Sequence, residues 1–325
     1  MVTALLVLCG IGLVMAVLLA IGRKAFAVEV DKRFELLMDI MPGANCGGCG
    51  FPGCSGYANA LVEGKAVPTA CPPGGATLAE DIGKILGIAV EATEPMVALV
   101  ACAGGDDASP KRSVYNGISD CKAAHAVAGG AKSCTYGCLG LGSCIDACAF
   151  DALYKTSNGL VRVDPEKCTG CKKCVETCPR HIIKMVPQKA RVHVLCNNPQ
   201  KAKDVKAVCS VGCTGCKICV KQAKSISVDG ALAAVDYRND TEIPAAAALS
   251  CPQGAIFDAR EYTLNDWLVD KSTREKFEVR AAEWKDAEKK RKAEAKANAK
   301  AKADAKAAAD NKEAAKSDGD KGAES

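Results

Sequence analysis

The chain has 325 residues, 43 Lys and Arg against 38 Asp and Glu for a formal charge of +5, 4% aromatic side chains and 21 cysteines. From Lys271 onward there are 16 Lys and Arg against 12 Asp and Glu. The cysteine-rich remainder is therefore almost neutral, which excludes a nucleic-acid binder held by a basic surface. So few aromatics also fit several small modules better than one large hydrophobic domain.

Val2 to Gly22 is an apolar run without a charge, followed at once by Arg23 and Lys24. At the helical rise it is about 30 Å long, enough to span a bilayer. A secretory signal would want a basic start, a shorter apolar core and a small-residue cleavage site. The pattern predicts an uncleaved single-pass anchor over residues 1–24. The positive-inside rule then puts the rest of the chain on the cytoplasmic side of the cell (inner) membrane. Thiols there stay reduced, so the cysteines are for metal rather than disulfides. Cys9 lies within the anchor and is expected to be inert.

Val30 to Met41 reads as a short helix with Phe34, Leu37 and Met38 on one face, stopped by Pro42-Gly43. A loop rich in Gly and Cys follows, then a helix from Gly56 to Glu63 and the turn Cys71-Pro72-Pro73. Between residues 91 and 130 lies a connecting segment in which Pro95 to Ala101 reads as a buried strand. From Cys134 to Phe257 the sequence repeats. Cys134-x3-Cys138 returns as Cys209-x3-Cys213, Cys178-Pro179 as Cys251-Pro252, and Leu160 to Asp164 as Leu232 to Asp236. Beyond Asp270 an Ala, Lys and Glu tract predicts a fraying, solvated helix or disorder.

The most specific motif is Cys168-x2-Cys171-x2-Cys174-x3-Cys178-Pro179. Three cysteines spaced by two wrap one iron–sulfur cube, and the fourth, before proline, points to a second cube. Cys134-x3-Cys138-x5-Cys144-x3-Cys148 precedes it, with Leu141 where a ferredoxin's middle cysteine would stand. Cys134 can substitute from the N-terminal side. The crossed assignment is Cys134, Cys138, Cys144 and Cys178 on one [4Fe–4S] cluster, and Cys148, Cys168, Cys171 and Cys174 on the other. In the second copy Cys213, Cys216, Cys219 and Cys251 form one set, while Ala223, Asp240, Ile243 and Ala246 stand near its missing partner's ligands. The N-terminal set is Cys46, Cys49, Cys54 and Cys71, in a loop whose glycines let backbone N–H groups converge on anionic sulfur. Zinc is the rival, but it favours separated pairs, often with histidine.

Four clusters result. Cys102, Cys121, Cys196 and Cys209 are left over as candidates for a fifth or as core packing. Cys102 and Cys196 each end an apolar run before a turn, like a repeated half-site. His125, His181 and His193 are expected to be structural or exposed, since thiolates already complete each site. No G-x-G-x-x-G follows a predicted strand and there is no P-loop, so the chain should have no substrate-binding active site of its own.

The anchor, the Asn45-Cys46-Gly47-Gly48-Cys49-Gly50 loop with Cys54 and Cys71, and the double-ferredoxin run occur here in an order that resembles the B subunit of the Rnf complex, an ion-translocating ferredoxin:NAD oxidoreductase. The resemblance covers residues 1 to about 260. It implies single-electron transfer through [4Fe–4S] clusters as part of a translocase, coupled to Na⁺ or H⁺ movement. It also implies membrane and flavin-bearing partner subunits and soluble ferredoxin. Leu141, Ala149 and the second copy depart from the short form of that family. The alternatives are a membrane-anchored polyferredoxin-type subunit of another reductase, or a cluster-storing scaffold.

The expected fold is α+β: a transmembrane helix over 1–24, a small [4Fe–4S] domain over 25–90, the connecting segment over 91–130, and a two-cluster ferredoxin-like domain over 131–190. A degenerate one-cluster copy follows over 191–262 and an Ala/Lys-rich charged tail over 263–325.

Overall fold

The computed structural model describes residues 2–25, 31–91, 94–238, 243–259 and 271–319, with side chains described over 9–23, 31–91, 94–238, 243–259 and 275–299. The chain divides into two compact units, residues 1–93 and 94–325.

The first unit begins with helix α1 (Val2–Ala25). Its described side chains from Cys9 to Gly22 are apolar, and most are exposed, with Leu13 and Leu19 each 69% accessible. Among the described residues no helix is long and apolar enough to cross a membrane; the span expected over Val2 to Gly22 includes seven positions, 2–8, whose side chains lie outside them. Three further helices make a small core: α2 (Lys32–Ile40), α3 (Gly53–Val62) and α4 (Gly75–Leu86). Asp31 starts α2 by accepting the Arg33 N–H, and Gly87, in the left-handed region, ends α4. Leu37, Tyr57, Ala58, Leu61, Leu78 and Ile82 close together beneath the cysteine loop. The helix expected from Gly56 starts three residues earlier, at Gly53, because the loop itself feeds into it.

Among the described residues the second unit has four two-stranded antiparallel sheets. Strand β1 (Met96–Val100) pairs with β4 (Ile183–Pro187), and between them lies the hairpin β2 (Leu153–Lys155) and β3 (Val161–Val163). The pattern recurs. Strand β5 (Val192–Val194) pairs with β8 (Ile256–Asp258), around the hairpin β6 (Ile226–Asp229) and β7 (Leu232–Val235). The repeated lead-ins Leu160 to Asp164 and Leu232 to Asp236 therefore form the second strand of each hairpin. Each copy opens on an edge strand that closes against its last strand, so β1 of the connecting segment pairs inside the first copy. Short helices α5 (Cys121–Ala126), α6 (Ser143–Asp146), α7 (Lys173–Thr177), α8 (Ala202–Val208) and α9 (Ala245–Leu249) fill the connections.

Where the second copy lacks cysteines, carbon takes the space. Ala223 and Ile243 are buried in one apolar cluster with Ala247 and Ala248, Ala246 is half-buried, and Asp240 lies outside the described residues. The C-terminal tract is helical, α10 (Lys271–Gly319). Its first described turns are not all solvated, since Phe277 and Ala281 are buried in the larger apolar cluster, to which both copies contribute, where the helix meets α9 of the second copy and Trp284 packs beside them. Those three positions recur at helical spacing and make one apolar stripe.

Candidate metal centres

All 21 cysteines are free thiols, and apart from Cys9 they gather in sets of four. In the first unit Cys46, Cys49, Cys54 and Cys71 line one cavity. Asn45 shapes it. With φ at +47° it reverses the chain ahead of Cys46, and its Oδ1 accepts the Cys54 N–H at 2.8 Å. That bond caps the first turn of α3 from across the loop, which has no cap from its own N-terminal neighbour. Cys71 is placed from the other side. The Tyr57 hydroxyl, from the middle of α3, donates to the carbonyls of Val67 and Pro68 at 2.8 and 3.0 Å.

In the second copy Cys213, Cys216, Cys219 and Cys251 line a cavity with Gly215 and Pro252. The Cys174 thiol of the first copy has the charges of Cys168, Cys171 and Cys148 as its neighbours, and the Ala98 N–H points at the Cys168 sulfur at 3.4 Å. These groupings coincide with three of the four sets read from the sequence.

The fourth set differs. Cys138, Cys144 and Cys178 share their cavity with Cys121, not Cys134. Cys121 is pinned there because its N–H donates to Ser143 Oγ at 2.7 Å, while Ser143 in turn donates to Asp120 at 2.9 Å. Cys134 turns the other way, its carbonyl held by Arg180 at 2.9 Å and its sulfur approached by the Asn198 amide at 3.7 Å. It lines a separate cavity with Cys102, Cys196 and Cys209. Three of the residues left over by spacing thus meet Cys134, and the last replaces it.

Pairing of the two copies brings this extra set together. Cys102 and Cys196 follow the corresponding strands β1 and β5, joined just beyond by the Ala103 N–H to the Leu195 carbonyl at 2.9 Å. Cys209 is brought in by the Ser109 hydroxyl donating to the Val208 carbonyl at 2.9 Å and by the Ser210 N–H donating to Ala108. The wall is tight at Gly104, where a Cβ would stand 3.1 Å from the Cys209 sulfur, whereas one at Gly137 would make ordinary contact at 3.4 and 3.6 Å with those of Cys102 and Cys134.

The donor chemistry is uniform, four sulfurs and no histidine or carboxylate. Burial pushes some of these thiols up and neighbouring sulfurs add to it: Cys174 and Cys196 to about 12, Cys209 and Cys219 to about 11. Cys138 and Cys144 are raised for the same two reasons. Four crowded, desolvated thiols become thiolates together only around a strongly positive group. Among the described residues no three or more His, Cys, Asp or Glu side chains close around a single metal ion; four of the five sets line cavities instead.

Adjacent sets touch. The Cys138 N–H points at the Cys102 sulfur at 3.4 Å, Cys144 feels the charge of Cys174, and Cys196 that of Cys213. In the second unit the order in space is therefore the Cys213 set, the Cys102 set, the Cys121 set and the Cys148 set. The histidines stand outside these sets: the Nδ1 of His193 meets Tyr237 at 2.9 Å, and His181 is exposed.

Residues 41–73 match the model of a putative Fe-S cluster family and residues 161–184 that of a 4Fe-4S binding domain. The chain is 42% identical over 243 residues to the B subunit of the Na⁺-translocating ferredoxin:NAD⁺ oxidoreductase complex of Acetobacterium woodii, covering 73% of each. It is 41% identical to the B subunit of an ion-translocating oxidoreductase complex of Methanosarcina acetivorans, covering 79% of this chain and 97% of that one. Against the B subunit of the proton-translocating ferredoxin:NAD⁺ oxidoreductase complex of Clostridium ljungdahlii the identity is 42%, covering 78% and 90%. The chain belongs to the Rnf complex B-subunit family. It is thus an iron–sulfur electron-transfer subunit with ferredoxin-type 4Fe-4S domains, and that membership implies the other Rnf subunits as its partners.

Proposed function

We propose that the chain carries five [4Fe–4S] clusters, held by the Cys46, Cys102, Cys121, Cys148 and Cys213 sets, and passes single electrons between soluble ferredoxin and the membrane and flavin-bearing subunits of its complex. The carrying observation is that 20 of the 21 cysteines sort into five all-sulfur sets of four. Bound in such sets, [4Fe–4S] clusters supply one-electron chemistry at potentials tuned by charge, hydrogen bonds and exposure. The chain's own residues do the rest. Cys102 and Cys196 connect the two copies, so the four sets of the second unit run as an unbroken relay. Backbone N–H groups such as those of Ala98 and Cys138 point at sulfur and stabilise its charge. The complex couples this flow to Na⁺ or H⁺ movement and to NAD, as the names of the relatives indicate.

The apolar, exposed face of α1 followed by Arg23 supports a single-pass anchor with the cluster domains on the cytoplasmic side. Labelling of the cluster domains by an impermeant thiol reagent added to intact cells would overturn that topology.

Reduced ferredoxin should bleach the visible absorbance of the purified protein with no nicotinamide present. Replacing Cys102 and Cys196 together by Ser should remove one link and abolish ferredoxin-dependent NAD⁺ reduction by the assembled complex, with the protein at normal abundance. Full activity in that variant would sink the relay.

A further inference from the structure

Four Lys, Arg, Asp or Glu side chains are buried among the described residues: Lys132 (4% exposed), Arg162 (0%), Arg180 (7%) and Asp258 (6%). Asp258 is set apart from the rest, on β8 opposite Val192 and near His193. The three cations share one location. Arg162 interacts electrostatically with the Cys102 and Cys138 thiols, and Arg180 with those of Cys134, Cys102, Cys138 and Cys178. Lys132 acts on Cys138 and on Cys209. Each cation therefore faces one sulfur or more from the Cys102 set and one or more from the Cys121 set.

None of the three has a carboxylate partner among the described ion pairs. The hydrogen bonds of the two arginines go to carbonyls. Arg162 donates to Cys102 O at 2.8 Å and Val161 O at 3.1 Å, and Arg180 to Cys134 O, Gly137 O and Gly129 O. The Nε–H of each guanidinium is buried without a partner. Buried charges without an opposite charge are costly and rarely kept, so three at one place point to an anion there. Neither the Cys46 set nor the Cys148 or Cys213 set has a buried Lys or Arg beside it.

We propose that Lys132, Arg162 and Arg180 are built-in counter-charges shared by the clusters of the Cys102 and Cys121 sets, holding that pair at higher potential than the same ligands would give alone. The inference rests on the cluster assignment above. A cube with four thiolates carries a charge of about −2 oxidised and about −3 after taking one electron. A nearby cation favours the more negative state and so favours reduction. Three cations between two neighbouring cubes also offset the mutual repulsion that would oppose reducing both. The middle of the relay then accepts electrons more readily than its neighbours. These are positioning and tuning residues; none of them receives the electron.

The test uses the full-length protein, reconstituted anaerobically, with iron counted before an EPR-monitored redox titration. With iron unchanged, Lys132→Met, Arg162→Met and Arg180→Met should each lower the potentials of two clusters. The expected size is about a tenfold change in the reduced-to-oxidised ratio at fixed ambient potential, or about 59 mV for a one-electron couple. Arg162→Lys, which keeps the charge, should stay near wild type. Potentials unchanged at full iron, equal shifts in every cluster, or Arg162→Lys behaving like Arg162→Met would overturn the proposal. If Arg162→Met loses iron, Lys132→Met decides, since it leaves the Cys102 and Val161 carbonyls untouched. An iron count in wild type too low for both sets would refute the cluster assignment instead, which keeps the two failures apart.

Discussion

Replacing Asn45 should loosen the N-terminal cysteine set by two separable routes. Its Oδ1 accepts the Cys54 N–H at 2.8 Å and so supplies the cap that α3 otherwise lacks. Losing a cap of this kind costs about 1 kcal/mol. Its backbone sits at φ +47°, a region that Asn tolerates and Ala does not, which adds about 1 kcal/mol more. Asn45→Ala should therefore destabilise the loop by about 2 kcal/mol, close to a 30-fold rise in its open population at about 1.4 kcal/mol per tenfold. Asn45→Gly removes the cap but relieves the backbone, and should give about half of that effect on a logarithmic scale, or somewhat more because of the extra freedom of Gly. Asn45→Asp keeps the acceptor at a helix N-terminus and should fall closest to wild type. The assay is the rate of iron transfer from the anaerobic protein to a chelator, alongside hydrogen exchange of the Cys54 to Tyr57 amides. Equal rates for Ala and Asp, or no acceleration in Ala, would refute the assigned role.

Tyr57→Phe should leave the Val67 and Pro68 carbonyls without their donor, destabilise the first unit by about 1–3 kcal/mol, and speed iron release from the Cys46 set alone; thermal unfolding and chelator kinetics check it. His193 is held neutral by burial, its pKa pushed down to about 4 from 6.5. Because the unfolded state then binds the proton more readily, stability should fall as pH drops from 6.5 toward 4, by at most about 3 kcal/mol. His193→Gln should flatten that slope in denaturant unfolding at successive pH values. Phe277→Ala should cost about 3 kcal/mol and release the start of α10, seen as faster proteolysis near Trp284, because Phe277 is 6% exposed in the larger apolar cluster of the second unit.

Local spacing was informative where one loop supplies most of a set. Cys213, Cys216 and Cys219 lie within seven residues, and Cys46, Cys49 and Cys54 within nine, so the chain's own turns bring them together. The apolar run from Pro95 likewise marks the strand from Met96, whereas the recurrence of Leu160 to Asp164 as Leu232 to Asp236 marks the repeat without showing that each forms a hairpin strand. Spacing failed for Cys134, because its choice between two cavities is made by distant groups, Arg180 and Asn198 on one side and Ser143 holding Cys121 on the other. The Cys102 set draws its sulfurs from four segments, and strand pairing in both copies gathers them. The one signal in the sequence was the matched position of Cys102 and Cys196 after an apolar run. The docked start of α10 was hidden in a tract whose composition is that of a solvated helix, with only Phe277 and Trp284 to mark its apolar stripe.

The central claim is that every cysteine after Cys9 serves a cluster. Iron and acid-labile sulfide should be counted per chain on anaerobically purified, fully reconstituted full-length protein, with and without Cys102→Ser and Cys196→Ser. The account predicts about 20 irons and about 20 sulfides, falling to about 16 of each in the double variant. A firm count near 16 in the unaltered protein, unchanged by the two substitutions, would contradict it.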